Sequence, residues 1–154
     1  MARFDSSMEA MLDMYIFETS TLLEQLDEIL MKTEKENAMG DEDINEIFRI
    51  MHTIKGSSAM MGLDNMSTLS HAIEDMFYIL RENKNVTASI SHLYDIVFNA
   101  SDLLKAEIEL IQDADSEPTD FTSLKTKIKE YVEVLKNGGT PPPAPAPTVT
   151  PALG

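Results

Sequence analysis

The stretch Asp43-Ile44-Asn45-Glu46-Ile47-Phe48-Arg49-Ile50-Met51-His52-Thr53-Ile54-Lys55-Gly56-Ser57-Ser58-Ala59-Met60-Met61-Gly62 decides the fold. Each residue of an α-helix turns about 100° from the last. On that wheel Ile44, Ile47, Ile50, Met51, Ile54 and Met61 share one broad arc, the apolar stripe of a helix packed on other helices. His52 points roughly 140° away from the centre of the arc, on the face of Asn45, Arg49 and Gly56. It reads as a surface histidine. Asp41 or Asp43 can cap this helix, Asp43 with Glu46 approximates a capping box, and Gly62 supplies its end.

The same periodicity runs outward in both directions. Before it, Met8, Met11, Leu12, Tyr15, Ile16, Leu22, Leu23, Leu26, Ile29 and Leu30 recur at helical spacing. After it, Asp64 or Asn65 caps a helix striped by Met66, Leu69, Ile73, Met76, Phe77 and Leu80. A fourth helix follows Ser89 through Ile90, Leu93, Val97, Leu104, Ile108 and Ile111. Beyond Pro118 a fifth spans roughly Asp120 to Lys136, with Phe121, Leu124, Ile128, Val132 and Leu135. No strand pattern or internal repeat is visible. Short connections between amphipathic helices predict an all-α fold, an up-and-down antiparallel four-helix bundle with an additional C-terminal fifth helix.

Composition changes after Asn137. Six of the seven prolines fall between Pro141 and Pro151, and no charged residue follows Lys136. The expected organisation is a globular domain over 1–137 and a disordered Pro/Ala/Thr-rich linker over 138–154, leading to further domains. With 43% hydrophobic and 25% charged residues, the 154-residue chain has the balance of a soluble domain. Its 27 acidic against 12 basic residues give a net charge of −15. A nucleic-acid binder needs clustered cations to displace counterions, so no nucleic-acid partner is expected. Membrane insertion is not expected either, because no apolar run reaches spanning length and none resembles a secretory leader. A cytoplasmic location is the expectation. There is no cysteine, which removes disulfide and thiolate chemistry.

A surface histidine is usually inert, but this one has informative neighbours. Lys55 and Gly56 stand three and four residues on, one turn away on the same side. Lys55 offers a positive charge to an anion held at the imidazole, although an isolated lysine is ordinarily just solvated. Gly56 costs on the order of 1 kcal/mol in mid-helix, and here it removes a side chain that would crowd the ring. Ser57, Ser58 and Ala59 prolong the run of small residues. Close approach by another protein explains them, with tight packing on a neighbouring helix as the alternative. On the third helix His71, Glu74, Asp75 and Tyr78 lie opposite the apolar stripe. A carboxylate there, Glu74 by wheel position, could accept a hydrogen bond from one imidazole nitrogen of His52 and leave the other as nucleophile.

The segment His52-Thr53-Ile54-Lys55-Gly56-Ser57-Ser58 resembles the motif H-[ST]-[IL]-K-G-[GS]-[AS] of histidine phosphotransfer domains. More narrowly, the chain resembles the N-terminal phosphotransfer domain of CheA-type chemotaxis histidine kinases. The likeness runs from about Phe4 to Leu135, includes Ile47-Phe48-Arg49 before the histidine, and places His71-x-x-Glu74 on the family's His-x-x-Glu. It implies that His52 is phosphorylated on Nε2, that Glu74 holds Nδ1, and that Lys55 and His71 flank the site. Arg49, Gly56 and Ser57 are then the candidate docking residues. The resemblance also implies partners: an ATP-binding kinase module of the same or a dimer-related chain, and chemotaxis response regulators. ATP and Mg would be bound by those modules, with no cofactor or metal in this chain. Ser57-Ser58-Ala59-Met60 departs from the glycine-richer run of many members.

Other readings fit the residues less well. Di-iron bundles need Glu-x-x-His pairs, and the residues three before the histidines are Arg49, Thr68 and Ser89. No His-Glu-x-x-His zinc motif occurs, and His92 is expected to be an ordinary surface histidine. The dimerisation domain of conventional sensor kinases has an acidic residue directly after its histidine, where Thr53 stands here. A helical interaction module without phosphate chemistry is the bland alternative. No Gly-x-x-x-x-Gly-Lys loop is present, so the chain is not expected to phosphorylate itself. The eleven methionines, Met60, Met61 and Met66 among them, are expected to be adaptable core filler.

Overall fold

A computed structural model describes residues 8–36, 38–82, 90–113 and 115–136. They form α1 (Glu9–Glu36), α2 (Asp41–Met60), α3 (Asp64–Glu82), α4 (Ile90–Leu110) and α5 (Thr122–Lys136). No strand occurs among the described residues. Contacts show the helix directions. Near one end Tyr15 of α1 meets Ser58 of α2, and near the other Lys32 of α1 reaches Asp43 of α2. Thr33 of α1 meets Tyr94 of α4, and Asp27 meets Ser101. Each pair of neighbours is therefore antiparallel, and α1–α4 close into the expected up-and-down bundle. The fifth helix lies outside the ring, on α3 and α4. The linker expected over 138–154 and Ser89, after which the fourth helix was expected to begin, lie outside the described residues.

The core is the merged stripes of all five helices. Leu23, Leu26 and Leu30 meet Ile47, Ile50, Met51 and Ile54, then Met66, Leu69, Ile73, Met76 and Phe77, with Val97, Ala100 and Leu104 opposite. Hydrogen bonds fix how these stripes engage. The Tyr15 hydroxyl lies 2.7 Å from Ser58 Oγ, and that of Tyr94 donates to Thr33 at 2.5 Å. Buried Glu107 of α4 accepts from Asn65 Nδ2 at 2.9 Å and from the Thr119 backbone at 3.2 Å. That carboxylate ties the start of α3 to the α4–α5 connection. No helix of the described residues is long and apolar enough to cross a membrane.

Several boundaries differ from the sequence reading for local reasons. The N-cap of α2 is Gly40, whose carbonyl accepts the first helical bond from Ile44 at 3.0 Å. Asp43 at the third helical position turns back to the Gly40 N–H at 3.3 Å, so it makes half of a capping box, with no part for Glu46. Asp64 is the first residue of α3 and not its cap. The entry to α5 is an Asp120 turn that accepts the Thr122 N–H at 2.9 Å, so the helix starts two residues after the expected position. Those bonds, from the Thr122 hydroxyl first and then its N–H, hold the Asp120 carboxyl below its usual pKa. Of the methionines expected as core filler, Met11, Met14, Met31 and Met60 are exposed. Met60 stands at the last turn of α2, where its direction leaves the bundle.

Candidate functional site

The site starts from a tight turn. Gly62 has φ 74°, in the left-handed region that glycine occupies without cost. The Leu63 N–H bonds to the Ser58 carbonyl at 2.9 Å and the Gly62 N–H to that of Ala59 at 3.0 Å, a Schellman closure of α2. Only Met61–Leu63 separate the two helices, so α3 runs straight back along α2. Ser67 Oγ donates to the Lys55 carbonyl at 3.1 Å and fixes their register. Glu74, almost two turns further along α3, thereby comes level with His52 and Lys55.

One carboxylate then serves two donors. Glu74 Oε2 is hydrogen-bonded to His52 Nδ1, and Glu74 Oε1 accepts from Lys55 Nζ at 2.7 Å. Glu74 is buried at 6% exposure, while 62% of the His52 side chain is open to solvent. This corrects the wheel, which put Glu74 on a polar face opposite the stripe. The helix α3 packs on α2, α4 and α5, so its buried arc is wider than one stripe. The Lys55 ammonium also lies differently from expectation: it rests on the carboxylate and offsets that charge, instead of standing free beside the imidazole.

Charge and tautomer follow. Burial opposes ionisation of Glu74, but hydrogen bonds from Lys55 and His52, with the Lys55 charge, outweigh it and hold the carboxyl below its usual pKa. An ionised carboxylate can only accept, so Nδ1 must carry the proton. In a neutral imidazole the lone pair is then on Nε2. No described residue hydrogen-bonds Nε2. The arrangement is an oriented, outward nitrogen nucleophile on a rigid helix.

A protein-family model described as Hpt domain matches residues 10–114. The chain belongs to the Hpt family. Its relatives include the chemotaxis protein CheA of Borreliella burgdorferi, 30% identical over 131 residues that cover 84% of this chain and 15% of that protein. CheA of Listeria monocytogenes is 38% identical over 102 residues, 66% of this chain and 16% of that protein. The sensor histidine kinase CheAY of Helicobacter pylori is 32% identical over 132 residues, 86% of this chain and 16% of that protein. The chain thus spans about a sixth of the length of the curated relatives it matches. No solved structure matches at a significant level.

The remaining candidates of this Hpt domain are spread more widely. His71 lies on α3 with its Nε2 3.5 Å from Asp75, and lines a groove of about 610 Å³ between α3 and α5. No hydrogen bond or ion pair joins it to His52, Lys55 or Glu74. Arg49 is exposed on α2 and paired with Glu46 one turn back. At Gly56 an added Cβ would meet nothing within 4 Å. The glycine therefore neither relieves a clash with the imidazole nor admits a neighbouring helix; its face is open. Ser58 is the opposite case, fully buried against the Tyr15 hydroxyl, so its small size serves packing on α1. Ser57 bonds back to the Thr53 carbonyl at 2.9 Å.

Three neighbours of the imidazole, Phe48, Tyr78 and Arg81, were not among the site residues expected from the sequence. The Phe48 ring lies nearly parallel to the His52 imidazole, 6.3 Å between centroids and 10° between planes. Tyr78 and Arg81 of α3 close over Phe48 from the other helix. The four-residue spacing of Phe48 and His52 was legible, but a half-buried phenylalanine looks like any core residue until α3 is in place.

Proposed function

We propose that this Hpt domain is the phosphotransfer domain of a cytoplasmic chemotaxis-type histidine kinase, with His52 as phosphoacceptor and then phosphodonor. The observation that carries the reading is the buried, ionised Glu74 on His52 Nδ1, which leaves the Nε2 lone pair facing outward. In the first transfer Nε2 attacks the γ-phosphorus of ATP held with Mg by a kinase module. The N–P bond forms as the bond to the ADP oxygen breaks, and the electron pair leaves with ADP. The Nδ1 proton stays in its bond to Glu74, whose negative charge offsets the positive charge developing on the ring. In the second transfer an aspartate oxygen of a response regulator attacks phosphorus. The N–P electrons return to Nε2 and restore the neutral imidazole.

Lys55 keeps the carboxylate ionised and in place. Arg49 and Gly56 flank the exposed imidazole on α2 and, with Ser57 further round the helix, form the surface a partner meets. His71 sits on the side of α3 that faces α5, so its part in the site is the weakest of the set. In this reading, nucleotide binding and catalysis of both transfers come from the partner modules. The test is phosphorylation of the chain and of His52→Gln by a chemotaxis kinase core with Mg-ATP. The intact chain should take up an acid-labile phosphoryl group and pass it to a regulator. The variant should take up none, and the chain with Mg-ATP alone should take up none. Label that persists in His52→Gln would place the acceptor elsewhere.

A further inference from the structure

We infer that Phe48 is a positioning residue for phosphoryl transfer at His52, and that Arg81 holds Phe48 in that role. This rests on the reading of His52 as phosphoacceptor. The Glu74 bond fixes a single atom of the imidazole, and χ2 of a histidine is a broad, soft torsion. A ring pinned at Nδ1 alone can still rock about that bond, which swings Nε2 through an arc. Phe48 stands one turn before His52 on the same face, and the two rings lie in near-parallel planes with centroids 6.3 Å apart. Their near-parallel planes make the Phe48 ring a stop against that rocking.

Phe48 is itself held. The Arg81 guanidinium lies 4.6 Å from its ring centroid and 5.3 Å from that of Tyr78. Tyr78 is tilted against Phe48 at 6.5 Å. Arg81 Nη1 reaches Asn45 Oδ1 at 3.5 Å on α2, and its Nε lies 3.5 Å from Glu82. A cation that lies on two rings with its side chain only 32% exposed is attached to the helix pair and not swinging in solvent. The stack runs from α3 through Arg81 and Phe48 to the imidazole. It supplies the second constraint that one hydrogen bond leaves out.

The experiment is steady-state phosphorylation of the full chain by a chemotaxis kinase core, with the chain as varied substrate, beside thermal melts. Phe48→Leu keeps bulk and apolarity but loses the plane. It should lower kcat about tenfold and change KM less than about twofold, because misplacement of a reacting atom acts on the chemical step. Phe48→Tyr should restore kcat, and Arg81→Met, which does not touch the imidazole, should lower kcat about threefold. In NMR spectra the ring-current shift on the His52 carbon-bound protons should disappear in Phe48→Leu, while Nδ1 remains the protonated nitrogen. A raised KM with unchanged kcat would make Phe48 a docking contact, and a lowered melting point with normal kcat would make it packing only; either overturns the inference. Failure of the intact chain itself to accept phosphate from the kinase would instead sink the reading of His52.

Discussion

Glu74 has two oxygens and one donor on each, so any replacement strands at least one partner. Glu74→Ala leaves the Lys55 ammonium, only 28% exposed, without its acceptor. The expected loss is about 1–3 kcal/mol of stability, more than a surface substitution gives. Phosphorylation of His52 should also slow by about tenfold or more, because the tautomer is no longer fixed. Glu74→Gln separates the two effects, since its amide fills the space but presents N–H to one of two donors. The pH dependence has a definite sign. The folded pKa of Glu74 lies below its usual value of 4.5, so the stability it adds is fully present above that value and is lost as pH falls through the depressed one. The difference between melts of the chain and of Glu74→Gln should collapse as pH falls from about 5 through the carboxylate range. A difference that persists undiminished once pH has fallen well below the usual carboxylate range would mean the carboxylate is not the stabilising species.

At the scale of the helix, α2 carries a conflict between stability and use. Gly56 weakens its middle, and no contact within the described residues requires a glycine there. Gly56→Ala should therefore raise stability by about 0.5–1 kcal/mol, read as a higher melting midpoint. The same Cβ would stand on the open face beside His52, where the proposed function has a kinase module or regulator approach. Phosphotransfer to and from the variant should fall despite the firmer helix. Faster or unchanged transfer would show that no partner comes close at that position. The helices themselves were legible from spacing, because burial of one face imposes the 3.6-residue repeat wherever a helix packs. Caps were less so. Asp41 and Asp43 advertise a cap, but the backbone of Gly40 takes that place, and a glycine gives no side-chain signal of it.

At the scale of the molecule, the Hpt match ends at residue 114 and α5 lies beyond it. That helix buries Leu124, Ile128, Tyr131 and Leu135, with Phe121 buried just before it, and burial pushes the Tyr131 hydroxyl up to about 12. It packs on α3 and α4, while Glu74 meets His52 and Lys55 on the α2 side of α3. A chain ending at Asp120 should thus melt about 5–15 °C lower, from the apolar surface uncovered on α3 and α4. Its folded fraction should still be phosphorylated on His52 at the rate of the full chain. An unchanged melt would mean α5 contributes little, and loss of transfer by folded molecules would mean it shapes the site.

The sequence by itself determined five helices, their order, the outward direction of His52 and the family motif around it. Those are properties of one helix at a time, set by a periodic stripe and by spacings of three and four residues. The state of the site is a property of two helices, and only their packing decided it. Glu74 read as polar surface because a wheel shows one buried face, yet α3 is enclosed on three sides and draws that carboxylate inward. Lys55 read as a free cation because its acceptor lies nineteen residues away across the Gly62 turn. Phe48 read only as part of the run before the histidine, because the Arg81 and Tyr78 that clamp it belong to the neighbouring helix. Local chemistry is written along the chain, whereas burial and charge pairing between helices exist only once the helices meet.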